Sequence, residues 1–248
     1  MNDTRHVVVT GASGGIGGAI AERFAAAGCT LHLLGRDQAR LAQAAEACRA
    51  AGAAAAHTHC CDVGDPDSLA AALAAPPRVD VLVNAAGNIP RLSLQDSEPA
   101  HWRGVWADKV LGAIEATRVA CERMRADGGG VVVNIIGTAG VKPNPKTILT
   151  TTANAALIAF TEALGAQAVD WNVRVVGINP GLTQTARTAG LASGTGGDAY
   201  AALLKNLPFQ RMATAGEVAD CTWFLASPQA GYISGTVIDL DGGARWRV

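Results

Sequence analysis

The chain has 248 residues, 49% hydrophobic and 17% charged, with a formal net charge of −1. A chain of that length buries a large core without staples, and its apolar content excludes disorder. The near-neutral balance, with a pI near 6.5, excludes the basic footprint of a nucleic-acid binder or a polybasic membrane patch.

In chain order, Val7–Thr10 reads as a strand, and Ile16, Ile20 and Phe24 recur after it at helical spacing. Thr30–Leu34 is a second strand, followed by an amphipathic Asp37–Ala51. A weaker strand over Ala54–Cys60 precedes a helix starting near Pro66, where proline suits the first turn. Val79–Asn84 is the fourth strand, and a long helix over Pro99–Ala126 is stopped by Gly128-Gly129-Gly130. Val131–Ile136 is the fifth strand, Thr151–Val169 a helix and Val173–Ile178 the sixth strand. Leu182–Gly197, rich in Thr, Gly and Ser, reads as a long mobile loop, with a short helix Tyr200–Leu204 behind it. A helix near Gly216–Ala226 and a strand Thr236–Leu240 end the pattern. Such alternation specifies an α/β fold with a parallel sheet covered on both faces and ligands at the carboxyl ends of its strands. With no linker or repeat, residues 1–248 read as one domain.

Met1–His6 lacks a basic region and a long apolar run, so no signal peptide is expected. No uninterrupted apolar stretch approaches the roughly 18 residues of a membrane span. The six cysteines show no zinc spacing. They read as reduced thiols in a cytoplasmic protein, with Cys60-Cys61 as small strand-end residues rather than a redox pair. No metal site is expected.

Thr10-Gly11-Ala12-Ser13-Gly14-Gly15-Ile16-Gly17 joins the first strand to the first helix. Glycine lets backbone approach a pyrophosphate, and the helix N-terminus offers unpaired N–H groups and a positive dipole end. With Asn84-Ala85-Ala86-Gly87, Cys61-Asp62-Val63, Asn179-Pro180-Gly181-Leu182-Thr183-Gln184-Thr185 and the closing Tyr232–Gly243, the sequence resembles the short-chain dehydrogenase/reductase family over nearly its whole length. The resemblance implies a Rossmann-type doubly wound sheet, a bound dinucleotide, a small-molecule substrate and a homodimer or homotetramer. Gly112, Ala113, Ala116 and the Ala-rich Thr151–Leu164 offer small residues for subunit packing. It assigns the cofactor to Gly11, Ser13, Gly14, Ile16, Gly17, Asp62, Val63, Asn84, Ala85, Gly87, Asn154, Pro180, Gly181 and Thr183.

An NAD-user places an acid at the end of the second strand, about 20 residues past the glycines. Gly35 stands there, followed by Arg36, whose guanidinium matches a 2′-phosphate, so the reading is NADP(H), with NADPH over NADH. The competing reading has Arg36 merely capping the turn before Asp37.

The family's chemistry uses a tyrosine and a lysine on the helix after the fifth strand, a serine at that strand's exit and an asparagine in the preceding long helix. Matching Ala155–Phe160 puts Thr150 at the tyrosine place, Asn154 at the lysine place and Gly137 at the serine place. Matching Trp102 and Gly112 puts Lys109 at the asparagine place. The only tyrosines are Tyr200 and Tyr232, and no lysine lies between Lys146 and Lys205. Thr138 offers a neighbouring hydroxyl. The lysine and asparagine types have thus exchanged places. Lys109, Thr150 and Asn154 are the candidate catalytic residues, with the Lys109 ammonium extending into the space left by Thr150 to donate to a substrate oxygen. The other reading makes Lys109 a surface or interface lysine. Tyr200 reads as a packing residue, His101 and Trp102 as structural, and Lys142 and Lys146 as a solvated loop. Three functions fit: an oxidoreductase with a rearranged site, a non-catalytic scaffold or redox sensor, and a cofactor-retaining lyase or isomerase.

Overall fold

Strand β1 (His6–Thr10) sends Val7 and Val9 into one apolar layer and Val8 into another, as the two-residue period of a strand requires. The computed structural model describes residues 4–87, 89–194 and 197–247, and the side chains of 191–199 lie outside the described set. The remaining strands are β2 (Thr30–Gly35), β3 (Ala55–Cys60), β4 (Val81–Asn84), β5 (Gly130–Ile135), β6 (Val173–Pro180), β7 (Thr183–Gln184), β8 (Ala213–Thr214) and β9 (Thr236–Leu240). Seven of them form one parallel sheet in the order β3-β2-β1-β4-β5-β6-β9, while β7 pairs only with β8. The order reverses between β1 and β4, which opens a crevice at their carboxyl ends.

Helices α1 (Gly15–Ala25), α2 (Gln38–Ala51) and α9 (Ala215–Leu225) cover one face, burying Ile20, Phe24, Leu41, Val218 and Leu225 against Val7, Val9, Leu31 and Leu33. Helices α3 (Pro66–Ala74), α4 (Pro99–Val105), α5 (Gly112–Ala126) and α6 (Ile148–Ala168) lie on the other side of the sheet or beyond its edge. There Leu69, Leu73, Ala116 and Met124 meet Val8, Leu82 and Val132. Each such aliphatic side chain contributes about 1.5–3 kcal/mol when fully buried. Local chemistry sets the helix starts. Asp37 accepts from Arg40 N, Asp65 caps the turn into Pro66, and Thr214 and Glu217 form a reciprocal box.

Three expectations change. The long helix is continuous but contains a π-helical turn, Trp106–Leu111, between α4 and α5. Helix α6 starts a turn earlier than Thr151, because the Asn144 side chain accepts from Lys146 N and seeds a short 3-10 turn at Pro145. Leu182–Gly197 is not an irregular loop. Thr185 N donates to Thr188 Oγ1, whose hydroxyl bonds Thr183 O, and helix α7 (Ala186–Gly194) follows β7, with residues 195 and 196 outside the described set. Beyond it, α8 (Gly197–Asn206) contains the expected Tyr200 helix. The stretch Pro145–Trp171 is long and apolar enough by composition to cross a membrane. In the fold, α6 buries Leu149, Ala153, Leu157 and Ala168 instead.

The strand register also gathers histidines that the sequence reading passed over. His32 lies opposite His57, and His6 and His59 flank it on neighbouring strands. Facing nitrogens are 3.2 Å apart between His6 and His32 and 3.3 Å between His32 and His59, while ring centroids are 5.5 Å apart in both pairs. The rings therefore meet edge to edge in a hydrogen-bonded chain. Burial, then the charges of His59, His57, His6 and Arg123, lower the pKa of His32 to about 4. The unfolded chain, with a His pKa near 6.5, takes up this proton first as pH falls, so stability is full above that value and declines towards pH 4. His32→Leu is expected to flatten this acid limb, removing on the order of 2 kcal/mol of pH-dependent stability between pH ~7 and ~4.5. Thermal melts of both proteins across that range check it, and parallel acid limbs would contradict it.

Candidate active site

The turn after β1 runs against the turn after β4. Thr10 Oγ1 accepts the backbone N–H groups of Ala85 and Ala86 at 3.1 and 3.2 Å. Gly11 has φ +66, and a Cβ there would lie 2.8 Å from both Ala85 O and Ala86 Cα. Only glycine fits such a closely stacked backbone. Behind it, Gly17 lies on Gly11 O, and helix α1 points its N-terminus at the crevice. The resulting cleft has a volume of about 290 Å³, walled by Gly11, Ser13, Gly14, Arg36, Val63 and Gly87 among others. Its open helix N-terminus and glycine floor suit a dinucleotide's adenosine and phosphates.

The other assigned residues divide between wall and frame. Ala85 lines the cleft, as does the unassigned Cys61, while Ile16 packs against the core beneath the turn. Asp62 shapes its own loop, accepting from Gly64 N at 3.0 Å. Asn84 is an internal strut, its Nδ2 reaching Ala113 O, Thr117 Oγ1 and Asn134 Oδ1. Gly181 N donates to Leu240 O and Thr183 Oγ1 to Gly181 O, so Pro180–Thr183 is anchored to the last strand of the sheet. Two cleft residues escaped the sequence reading. Arg40 donates to Ser13 O at 2.6 Å, and Asp108 stands 3.4 Å from Arg36. The first lies four residues after Arg36; the second stands in the π turn.

The same turn carries Lys109, which is 7% exposed. Its stem crosses Gly87, whose φ of +140 and missing side chain leave the passage open: a Cβ there would be 2.6 Å from Lys109 Cδ. The ammonium donates to Ile135 O, the last residue of β5, at 2.7 Å. Burial first, and then the Arg187 charge, lower its pKa to about 8. The surface or interface reading of Lys109 is thereby overturned. The expected approach to Thr150 is also modified, since the ammonium is held by the β5 carbonyl. Asn154, 2% exposed, donates from Nδ2 to Gly137 O at 3.2 Å. Lys109 and Asn154 thus converge on the same strand exit. Asn154 Oδ1 is buried and unpartnered among the described residues. Thr150 is half-buried in the first turn of α6.

Other expectations resolve by position. Lys142 is not simply solvated, because its ammonium bonds Ala244 O and Arg247 O. His101 and Trp102 are structural as expected, in a capping box with Glu98 and in a bond to Ser97 Oγ. Gly112 and Ala116 are used within the chain, against Val63 and the core, rather than left for a subunit partner. Cys60 is exposed and Cys61 buried, and the cysteines are free among the described residues.

Gly11→Ala is expected to weaken nucleotide binding about tenfold or more and to cost roughly 1–3 kcal/mol of stability. Gly28→Ala, also at positive φ (+74) but with nothing within 4 Å of the new Cβ, should lose stability alone. Calorimetric titration and thermal melts of the two variants separate these effects.

The short chain dehydrogenase profile matches residues 5–195. Galactitol 2-dehydrogenase (L-tagatose-forming) of Cereibacter sphaeroides is 34% identical over 240 residues, covering 95% of this chain and 92% of that protein. The L-sorbose reductase of Gluconobacter frateurii, solved with NADPH and L-sorbose, superposes with a TM-score of 0.92 at 30% identity, over 99% of this chain and 98% of that one. An NAD+-bound xylitol dehydrogenase superposes with a TM-score of 0.89 at 25% identity, over 96% and 98%. With its glycine turn, crevice and strand order in common with that fold, the chain belongs to the short-chain dehydrogenase/reductase family of oxidoreductases.

Proposed function

We propose that the protein is an NADP(H)-dependent oxidoreductase moving hydride between the nicotinamide and a carbonyl or alcohol carbon, with Lys109 in the proton-exchanging role. The observation that carries this reading is a buried ammonium with a lowered pKa, set beside the cofactor cleft with a main-chain carbonyl as its hydrogen-bond acceptor. A buried cation is costly to a fold unless it has work to do, and shifted lysines cluster at functional sites. A pure scaffold has no need of it.

The dinucleotide fits the residues present: the Gly11–Gly17 turn for its pyrophosphate, Arg36 for a 2′-phosphate, and Asn154 Oδ1 for a ribose hydroxyl. When bound it supplies or accepts the hydride. Ile135 O takes one of the three N–H donors of Lys109, which leaves two for a substrate oxygen. In reduction the ammonium stabilises the growing negative charge on that oxygen and delivers the proton that completes the alcohol. In oxidation the neutral amine takes the proton back. In this reading Thr138, in the turn just after β5, and Thr150, in the first turn of α6, are the hydroxyls that orient the substrate. Pairing of subunits through the outer face of α6 extends this reading to a homodimer or homotetramer.

Reduction is expected to fail as pH rises through about 8, where the ammonium is lost, and oxidation to strengthen over the same interval. Lys109→Met should lower turnover roughly 10²-fold or more and abolish that inflection. Full turnover by this variant, in a carbonyl and alcohol screen, would sink the assignment. For the cofactor, parallel titrations with NADPH and NADH should show tighter NADPH binding that Arg36→Ala removes. Binding of neither nucleotide would defeat the oxidoreductase reading itself.

A further inference from the structure

Two charged side chains meet across this cleft. Strand β2 ends in Gly35 and offers no carboxylate to a ribose. On the opposite wall, the π turn places Asp108 in the same cleft, its Oδ2 3.4 Å from Arg36 Nη1. The carboxylate also lies over Gly64, where a Cβ would come within 2.7 Å of Oδ1. Asp108 is thus held between the loop after β3 and the guanidinium after β2. Its side chain is 30% exposed and that of Arg36 61%, so the pair spans the cleft at its open side.

We propose that Asp108 is a specificity-determining residue for the dinucleotide, acting against the 2′-phosphate that Arg36 attracts. The inference rests on the oxidoreductase reading and deepens it. A 2′-phosphate engages Arg36 only by drawing it away from Asp108, and the released carboxylate then faces a group of its own sign. A ribose with a free 2′-hydroxyl meets neither cost, because Asp108 accepts a hydroxyl proton while remaining beside Arg36. The acid missing from β2 is thereby supplied by a different element. Arg36 and Asp108 together bring the two dinucleotides closer in affinity than Arg36 alone would.

Three neighbouring charged side chains bond local backbone. Asp37 Oδ1 accepts from Arg40 N, Arg40 Nη2 holds Ser13 O, and Asp62 Oδ1 holds Gly64 N. Arg36 and Asp108 form an ion pair within the cleft, so a 2′-phosphate at Arg36 has to rearrange it.

The test is calorimetric titration of wild type, Asp108→Asn, Arg36→Ala and the double variant with NADPH and NADH at fixed ionic strength. Asparagine keeps the shape and removes the charge, and thermal melts check that the fold survives. NADPH binding by Asp108→Asn is expected to tighten roughly five- to tenfold with NADH unchanged or weaker. In the Arg36→Ala background the gain should vanish. An unchanged NADPH/NADH ratio in Asp108→Asn overturns the proposal, as does a gain that persists without Arg36. Failure of wild type to bind either nucleotide is a different result: it removes the oxidoreductase reading first, and this inference with it.

Discussion

The Thr10 hydroxyl, accepting the N–H groups of Ala85 and Ala86, ties the carboxyl ends of β1 and β4 together at the point where the sheet changes direction. Everything at the site depends on that tie. It lets the backbone of Gly11 rest on Ala85, which makes the floor of the cleft, and it orients the short run that leads to Gly87. Gly87 in turn leaves the opening through which the Lys109 stem reaches β5. A side chain at either glycine closes the cleft or turns the lysine aside, so the two positions serve steric rather than flexible ends.

The π turn at Trp106–Leu111 has a comparable influence on chemistry. A wide turn rotates consecutive side chains differently from an α-helix, and here it sends neighbours to two parts of one site. Asp108 points to the adenosine side, beside Arg36, while Lys109 points to the exit of β5. Helix α6 answers with Asn154, whose amide bonds Gly137 O and leaves its oxygen free to accept. Lys109 and Asn154, carried on two helices, therefore meet at the same strand exit. The burial that holds Lys109 there also makes its proton easier to lose.

Most of the fold was legible before any coordinates. Strand–helix alternation and the two-residue period of Val7, Val8 and Val9 suffice for a parallel sheet covered on both faces. The misreadings have separate causes. At Thr183–Thr188, threonine hydroxyls bond local backbone and start a helix from residues whose composition suggests a loop. The π turn has no compositional mark, since one extra residue per turn is a matter of packing. The His6–His32–His59 chain arises from strand register, which joins residues far apart in sequence.

By itself, the sequence determined the fold class and the place of the nucleotide cleft, because these follow from glycine spacing and apolar period. Tertiary structure alone decided that Lys109 is buried and bonded to Ile135, that Asp108 meets Arg36, and that Asn154 keeps an open acceptor. Burial and charge pairing depend on which side chains come together across elements, and spacing along the chain does not specify that.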